Sequence, residues 1–256
     1  MYKTTLVALI FVILFIFNIA FGQSPYQFSK KQEIVLYGTG AAFLGAGTYV
    51  GSQLDILTAE EIGILDRNNI NNFDRGATFN YSESAGKLSD NFLLSSQVLP
   101  LVFLSHEKTR KDFGQIVLMF GESWLLTTGI TNLTKRTAKR TRPFVYNEEV
   151  DISEKMIASA RRSFFSGHTS STTANYFFTA KVFSDYFPDS KFKPVVWGVA
   201  ITVPAITGYL RVKAGKHYRS DVISGYAVGA LVGYFVPQIH KKIKNRKKKK
   251  SEKIQF

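Results

Sequence analysis

Apolar residues in this chain come in blocks separated by polar stretches, and none of the blocks alternates with the period of two that a half-buried strand needs. Residues 6–17 form an unbroken apolar run behind Lys3, and Ala20 and Gly22 place small residues just before Gln23. That is the layout of a cleaved export signal over residues 1–22. Residues 33–51 are apolar but carry Gly38, Gly40, Gly45, Gly47 and Gly51. Glycine weakens a helix yet lets two backbones approach closely. Residues 52–87 are polar and read as loop with short helices. Apolar segments then follow at 91–105, 113–133, 169–187, 195–210 and 221–236. Pro100 and Pro204 lie within two of them, and Pro204 is expected to kink its helix. Glu122 lies within another, where it would be costly in lipid and should face protein or water. Gly225, Gly229 and Gly233 stand four apart on one face of the last, a close-packing face. The pattern predicts an all-α bundle with about five membrane-spanning or membrane-associated helices.

Charge gives the bundle a direction. Residues 241–253 hold nine basic residues and one acid, and are expected to be disordered, cytoplasmic and in reach of anionic headgroups. With Gln23 outside, five crossings bring this tail inside and place 134–168 and 211–220 together on the outer face. A sixth crossing would break the parity, so 33–51 is expected to pack on the bundle or to enter the bilayer without spanning it. The formal charge of +14 admits nucleic acid, anionic lipid or phosphorylated substrates as partners. The chain has no cysteine, which excludes disulfides and thiolate metal sites.

Three stretches carry candidate chemistry. Lys135, Arg136, Lys139, Arg140 and Arg142 crowd into eight residues with no acid among them. Helical spacing would put Lys135, Lys139 and Arg142 on one face, where like charges repel unless an anion lies between them. Pro143 disfavours the helix at Arg142, so the helix should stop there. Taken alone, the stretch also fits a basic loop at lipid headgroups. Ser166-Gly167-His168 precedes a helix, whose free N–H groups can hold an anion beside a proton donor. Ser166 as a plain helix cap fits equally well. His217 and Asp221 are four apart and share a helical face, so the carboxylate can fix the imidazole tautomer and leave the other nitrogen free. Arg211 adds another anion ligand. A surface His–Asp pair is the plainer alternative.

Together, Lys-x6-Arg-Pro at 135–143, Ser-Gly-His at 166–168 and Arg-x5-His-x3-Asp at 211–221 resemble the three signature stretches of the type 2 phosphatidic acid phosphatase (PAP2) superfamily, which includes acid phosphatases, lipid phosphate phosphatases and vanadium haloperoxidases. Phe165 and Leu210 depart from the proline and serine often found at those places. The resemblance spans about residues 90 to 240. It implies that His217 attacks phosphorus to form a phosphohistidine, that Asp221 orients it, and that His168 protonates the leaving oxygen. It implies that Lys135, Arg142, Arg211, Ser166 and the Gly167 N–H hold the phosphoryl oxygens. No metal or other cofactor is implied, and no nucleic acid. The expected organisation is a signal over 1–22, a periplasmic segment over 23–90 containing helix 33–51, a phosphatase core over 91–240 and a polybasic tail over 241–256. The expected activity is hydrolysis of a lipid phosphate or pyrophosphate at the periplasmic face of a bacterial inner membrane. Lipid A, undecaprenyl pyrophosphate and phosphatidylglycerophosphate are the candidate substrates. A soluble periplasmic acid phosphatase and a non-catalytic lipid-phosphate-binding protein are the alternatives.

Overall fold

The fold was obtained as a computed structural model. It describes residues 24–53 and 55–252, with side chains described as far as Lys241, so the export-signal expectation for residues 1–22 lies outside the described residues. The described part is built of helices and loops, with no strand. Six long helices form the bundle: α1 (Lys30–Ser52), α2 (Glu83–Gln97), α3 (Phe113–Ala138), α4 (Gly167–Tyr186), α5 (Lys193–Lys213) and α6 (Arg219–Glu252). Short helical turns, among them Ala59–Gly63 and Asn72–Arg75, fill the polar stretch between α1 and α2. Among the described residues, three helices, α1, α5 and the part of α6 to Lys241, are long and apolar enough to cross a membrane. Large apolar side chains such as Leu94, Val195, Ile201, Ile223 and Leu231 face outward, as a bilayer-embedded surface requires.

Glycine sets how closely the helices approach. A β-carbon on Gly225 would lie 2.6 Å from the Ser166 carbonyl oxygen, and one on Gly233 would collide with the Ala174 carbonyl oxygen. Gly229 meets Ser170 and Thr173 in the same way. The two series rise together, so α6 runs parallel to α4 with backbones in contact. Gly229→Val should force the helices apart and cost about 1–3 kcal/mol, as overpacking does. A thermal unfolding midpoint lowered by several degrees in detergent would show it, and an unchanged midpoint would contradict it.

The same device joins α1 to α3. Gly40 lies on Leu125 and Leu126, and Gly47 on Leu133. The Tyr37 hydroxyl donates to the Leu118 carbonyl at 2.8 Å. Here too the numbers rise together, so α1 is parallel to α3 and packs along its length. At its start, the Gln27 N–H donates to the His240 carbonyl at 3.3 Å. The chain entering α1 and the end of the apolar part of α6 therefore share one face of the bundle. Helix α1 carries the chain from that face to the opposite one, so segment 23–90 does not stay at a single end. This alters the parity argued above, in which Gln23 and the tail lie on opposite sides.

Two further expectations change. The basic tail, expected to be disordered, continues α6 to Glu252. Helix α3 stops at Ala138 rather than Arg142, because Lys139 takes a left-handed conformation (φ 48°) and Arg142 is extended before Pro143. Three like charges on one helical face are thereby avoided.

The main apolar core, including Phe103, Ile116, Met119, Phe178 and Val182, lies between α3, α4 and the 3₁₀ turn Leu99–Leu104. A smaller cluster of Leu57, Phe144, Val145, Val150 and Ala160 supports the loops at the other end. That end collects the last turns of α3 and α5 and the first turns of α2, α4 and α6.

Candidate active site

The three candidate stretches meet at this end through backbone as well as side chains. The Ser166 N–H donates to the Asp221 carbonyl at 3.0 Å, tying the head of α4 to the head of α6. The Arg142 N–H donates to the Ala160 carbonyl at 2.8 Å, which pins the loop after α3. Ser166 caps α4: its Oγ accepts from the Thr169 N–H at 3.4 Å and the Thr169 hydroxyl at 2.8 Å. Gly167 opens the helix where a β-carbon would press on Thr131 at 3.2 Å and on Lys135 at 3.4 Å.

His217 and Asp221 are both buried, with Nδ1 3.5 Å from Oδ2. That separation is longer than a hydrogen bond, a common state of such pairs before substrate tightens them. The carboxylate is firmly held. Its Oδ2 accepts from the Ser163 hydroxyl at 2.5 Å and the Tyr218 N–H at 2.9 Å, and its Oδ1 from Arg140 at 2.6 Å. Arg140 also donates to Asp74 at 2.8 Å and lies 3.9 Å over the Tyr218 ring. Asp74 in turn accepts from the N–H and the hydroxyl of Ser220. Burial, then the charges of Lys135, Arg142, Arg211 and His168, hold the His217 imidazole well below its ordinary value. The ring is therefore neutral at pH 7 and keeps a free lone pair.

Cations surround this ring without enough acids to match them. Burial and the neighbouring Arg211 and Arg162 push Arg142 down to about 10, so it remains charged at neutral pH. The Nε atoms of Arg142, Arg162 and Arg211 are buried with no acceptor among the described residues. Lys135 Nζ donates to the Arg162 carbonyl at 2.8 Å. Unpaired guanidinium donors converging around a neutral imidazole are the complement of a phosphoryl group.

His168 stands at the rim, its Nε2 2.7 Å from the Asp90 carboxylate. Asp90 also accepts from Arg211 at 3.3 Å. Burial and Arg211 pull His168 down to about 4, against the opposing pull of Asp90. Beside Asp90 and Arg211 opens a cavity of about 320 Å³, lined also by Lys87 and Lys216.

All eight residues singled out from sequence, Lys135, Arg142, Ser166, Gly167, His168, Arg211, His217 and Asp221, lie at this end. Glu122 does not; it is wholly buried in the other half of the bundle. Sequence reasoning missed Asp90, Asp74, Arg162 and Ser163, and assigned Arg140 only to the general basic cluster. Asp90 had a faint signal, a polar Ser-Asp-Asn step at the head of an apolar segment. The partners that tie Asp74 to the site lie 66 and 146 positions away, and its local bond to Asn71 is an ordinary helix cap.

Comparison with known proteins bears on this arrangement. The model of the PAP2 superfamily matches residues 116–245. A lipid A 4'-phosphatase of Porphyromonas gingivalis is 28% identical over 143 residues, covering 55% of this chain and 57% of that protein. The chain thus spans little more than half the length of that relative. A phosphatidylglycerophosphatase B of Bacillus subtilis is 27% identical over 162 residues, covering 60% of this chain and 73% of that one. A crystal structure described as a transmembrane PAP2 type phosphatidylglycerolphosphate phosphatase from Bacillus subtilis aligns over 95% of this chain and 98% of its own, with a TM-score of 0.46 and 22% identity. The family match covers α4, α5, the apolar part of α6, nearly all of α3 and every sequence-derived candidate residue, and on that ground this chain belongs to the PAP2 superfamily.

Proposed function

We propose that this protein is a membrane lipid phosphatase that removes a phosphate from a lipid monophosphate or pyrophosphate through a phosphohistidine on His217. The observation that carries the reading is a buried, neutral His217 backed by Asp221 and faced by Lys135, Arg142, Arg211 and His168. His217 attacks phosphorus, and the bond to the leaving oxygen breaks as His168, whose pKa the bound phosphate's negative charge raises from about 4, supplies its proton. Water, giving a proton to the now neutral His168, then attacks the phosphohistidine, freeing phosphate and restoring both imidazoles. Lys135, Arg142 and Arg211, with Ser166 and the Gly167 N–H, hold the phosphoryl oxygens, whose charge the transition state spreads among them. Asp221 holds the His217 tautomer, and Arg140 with Asp74 holds Asp221.

The outward apolar side chains support a lipid substrate. The relatives' names favour a lipid A phosphate or phosphatidylglycerophosphate, with undecaprenyl pyrophosphate the third candidate. With the basic end of α6 cytoplasmic, the site opens to the periplasm of a bacterial inner membrane, and the basic residues meet anionic headgroups. In this reading the phosphatase core of 91–240 also draws Asp74 and Asp90 from the segment before it, and 241–256 is the basic tail. The deciding experiment is a phosphate-release panel over the three lipids and a water-soluble phosphomonoester, using detergent-purified protein. The reading expects one lipid class to exceed the soluble ester in kcat/KM by orders of magnitude. Equal rates on all four would favour a broad-specificity phosphatase, and no release from any would favour a binding protein.

Asp90 is expected to tune the acid. Its carboxylate raises the pKa of His168, so Asp90→Asn lowers it. Activity that needs protonated His168 falls as pH rises through that pKa. The alkaline limb of the kcat/KM profile should therefore move to lower pH, by about one pH unit. An unmoved limb would exclude this role for Asp90.

A further inference from the structure

Away from the phosphate site, three ionisable side chains from three helices converge inside the bundle. Glu33 comes from α1, Glu122 from α3 and His240 from α6. All three are buried, with Glu122 and His240 fully inaccessible and Glu33 9% exposed. One ligand-type atom from each lies within 4.8 Å of the other two. His240 Nε2 is 2.8 Å from Glu122 Oε2, and Nδ1 is 3.7 Å from Glu33 Oε1. Outside the triad, Glu33 Oε1, Glu122 Oε1 and His240 Nδ1 have no hydrogen-bond partner among the described residues, and the two carboxyl groups lie close enough to share a hydrogen bond. The Phe28 ring covers the imidazole, with centroids 4.6 Å apart.

Charge requires the arrangement to hold either protons or a metal ion. Two carboxylates share a dry interior, and the imidazole is the ion-pair partner of both; no lysine or arginine lies within 4.0 Å of either among the described residues. Without a metal, a protonated imidazole would balance one carboxylate and the other would have to carry a proton held between the two carboxyl groups. A divalent cation balances two carboxylates beside a neutral imidazole. One imidazole nitrogen with two carboxylate oxygens suits zinc, and the imidazole disfavours magnesium. Bonds of about 2.0–2.2 Å to one ion need ligand atoms roughly 3.3–3.6 Å apart, within reach of small side-chain rotations from the observed spacing.

We propose that Glu33, Glu122 and His240 form a divalent metal site, zinc by its donor set, that clamps α1 and α3 to α6. One nitrogen of His240 and one oxygen each from Glu33 and Glu122 are the ligand atoms. The site lies some 30 Å from His217 at about 1.5 Å of rise per helical residue, so it takes no part in the phosphate chemistry. Its role is to fix the half of the bundle remote from the phosphate site, where α1 begins and the apolar part of α6 ends.

The test uses the full-length protein in detergent, equilibrated with Zn²⁺ or Mg²⁺, desalted and measured for bound metal and thermal midpoint. Wild type should retain about one equivalent of zinc and no magnesium, and zinc should raise its midpoint. Glu122→Gln, which keeps the side chain's volume, and His240→Asn should each lose the zinc and the rise in midpoint. His217→Asn should keep both. Phosphate release by Glu122→Gln should stay within about twofold of wild type, which would show that it folds. Zinc retained equally by wild type and both triad variants would overturn the proposal by placing the metal elsewhere. Wild type that retains no zinc, with a midpoint indifferent to it, would also overturn it and identify the triad as a proton-sharing network.

Discussion

His217→Ala is expected to lower phosphate release by roughly 10⁴-fold or more while leaving the bundle folded, since loss of a nucleophile removes the reaction route rather than one contact on it. The imidazole is buried beneath the cations, and its Nδ1 makes no hydrogen bond among the described residues. Removing the ring therefore leaves no strongly bonded partner stranded. The Asp221 carboxylate keeps Ser163, Tyr218 and Arg140. Substrate labelled in its phosphate and quenched in denaturant should leave label on wild type and none on the variant. A variant that turns over within tenfold of wild type, or that still takes up label, would exclude His217 as the attacking group.

Arg142→Lys is expected to lower kcat by about 10²-fold, comparable to loss of one donor from an oxyanion-stabilising set. The planar fork offers paired donors to two phosphoryl oxygens, whereas an ammonium offers a point charge. The backbone cannot adjust to compensate. Arg142 is extended before Pro143, and its N–H is bound to Ala160. A ground-state contact would appear in KM, so a fall confined to kcat marks a contact that strengthens as charge develops. Arg140→Lys provides the contrast. Arg140 bonds to Asp74 and Asp221, so its loss should also lower stability. Arg142→Lys within threefold of wild type in both parameters would remove Arg142 from the phosphate cradle.

Several helix boundaries moved between sequence and structure for physical reasons. Helix α2 begins at Glu83 rather than near residue 91, because Ser82 caps it and polar residues form its first turns. Apolar patterning marks the buried or lipid-facing part of a helix and misses a polar first turn. The polar loops between α1 and α2 looked uninformative, yet Asp74 within them braces Arg140 and Ser220. Glu122 was legible as a residue that must face protein, but its partners on α1 and α6 were not.

Local order along the chain determined the helical class, the glycine faces and the chemistry of the candidate residues. Periodicity, charge density and spacing act over a few residues, and one sequence displays them. The tertiary structure alone decided that α1 runs parallel to α3, that Arg140 serves Asp221 while Arg142 faces His217, and that Glu122 belongs to the remote triad. Those choices depend on which surfaces meet across dozens of intervening residues. Close backbone contact at glycine and the cost of leaving a buried charge unpaired select among the arrangements that the local pattern permits.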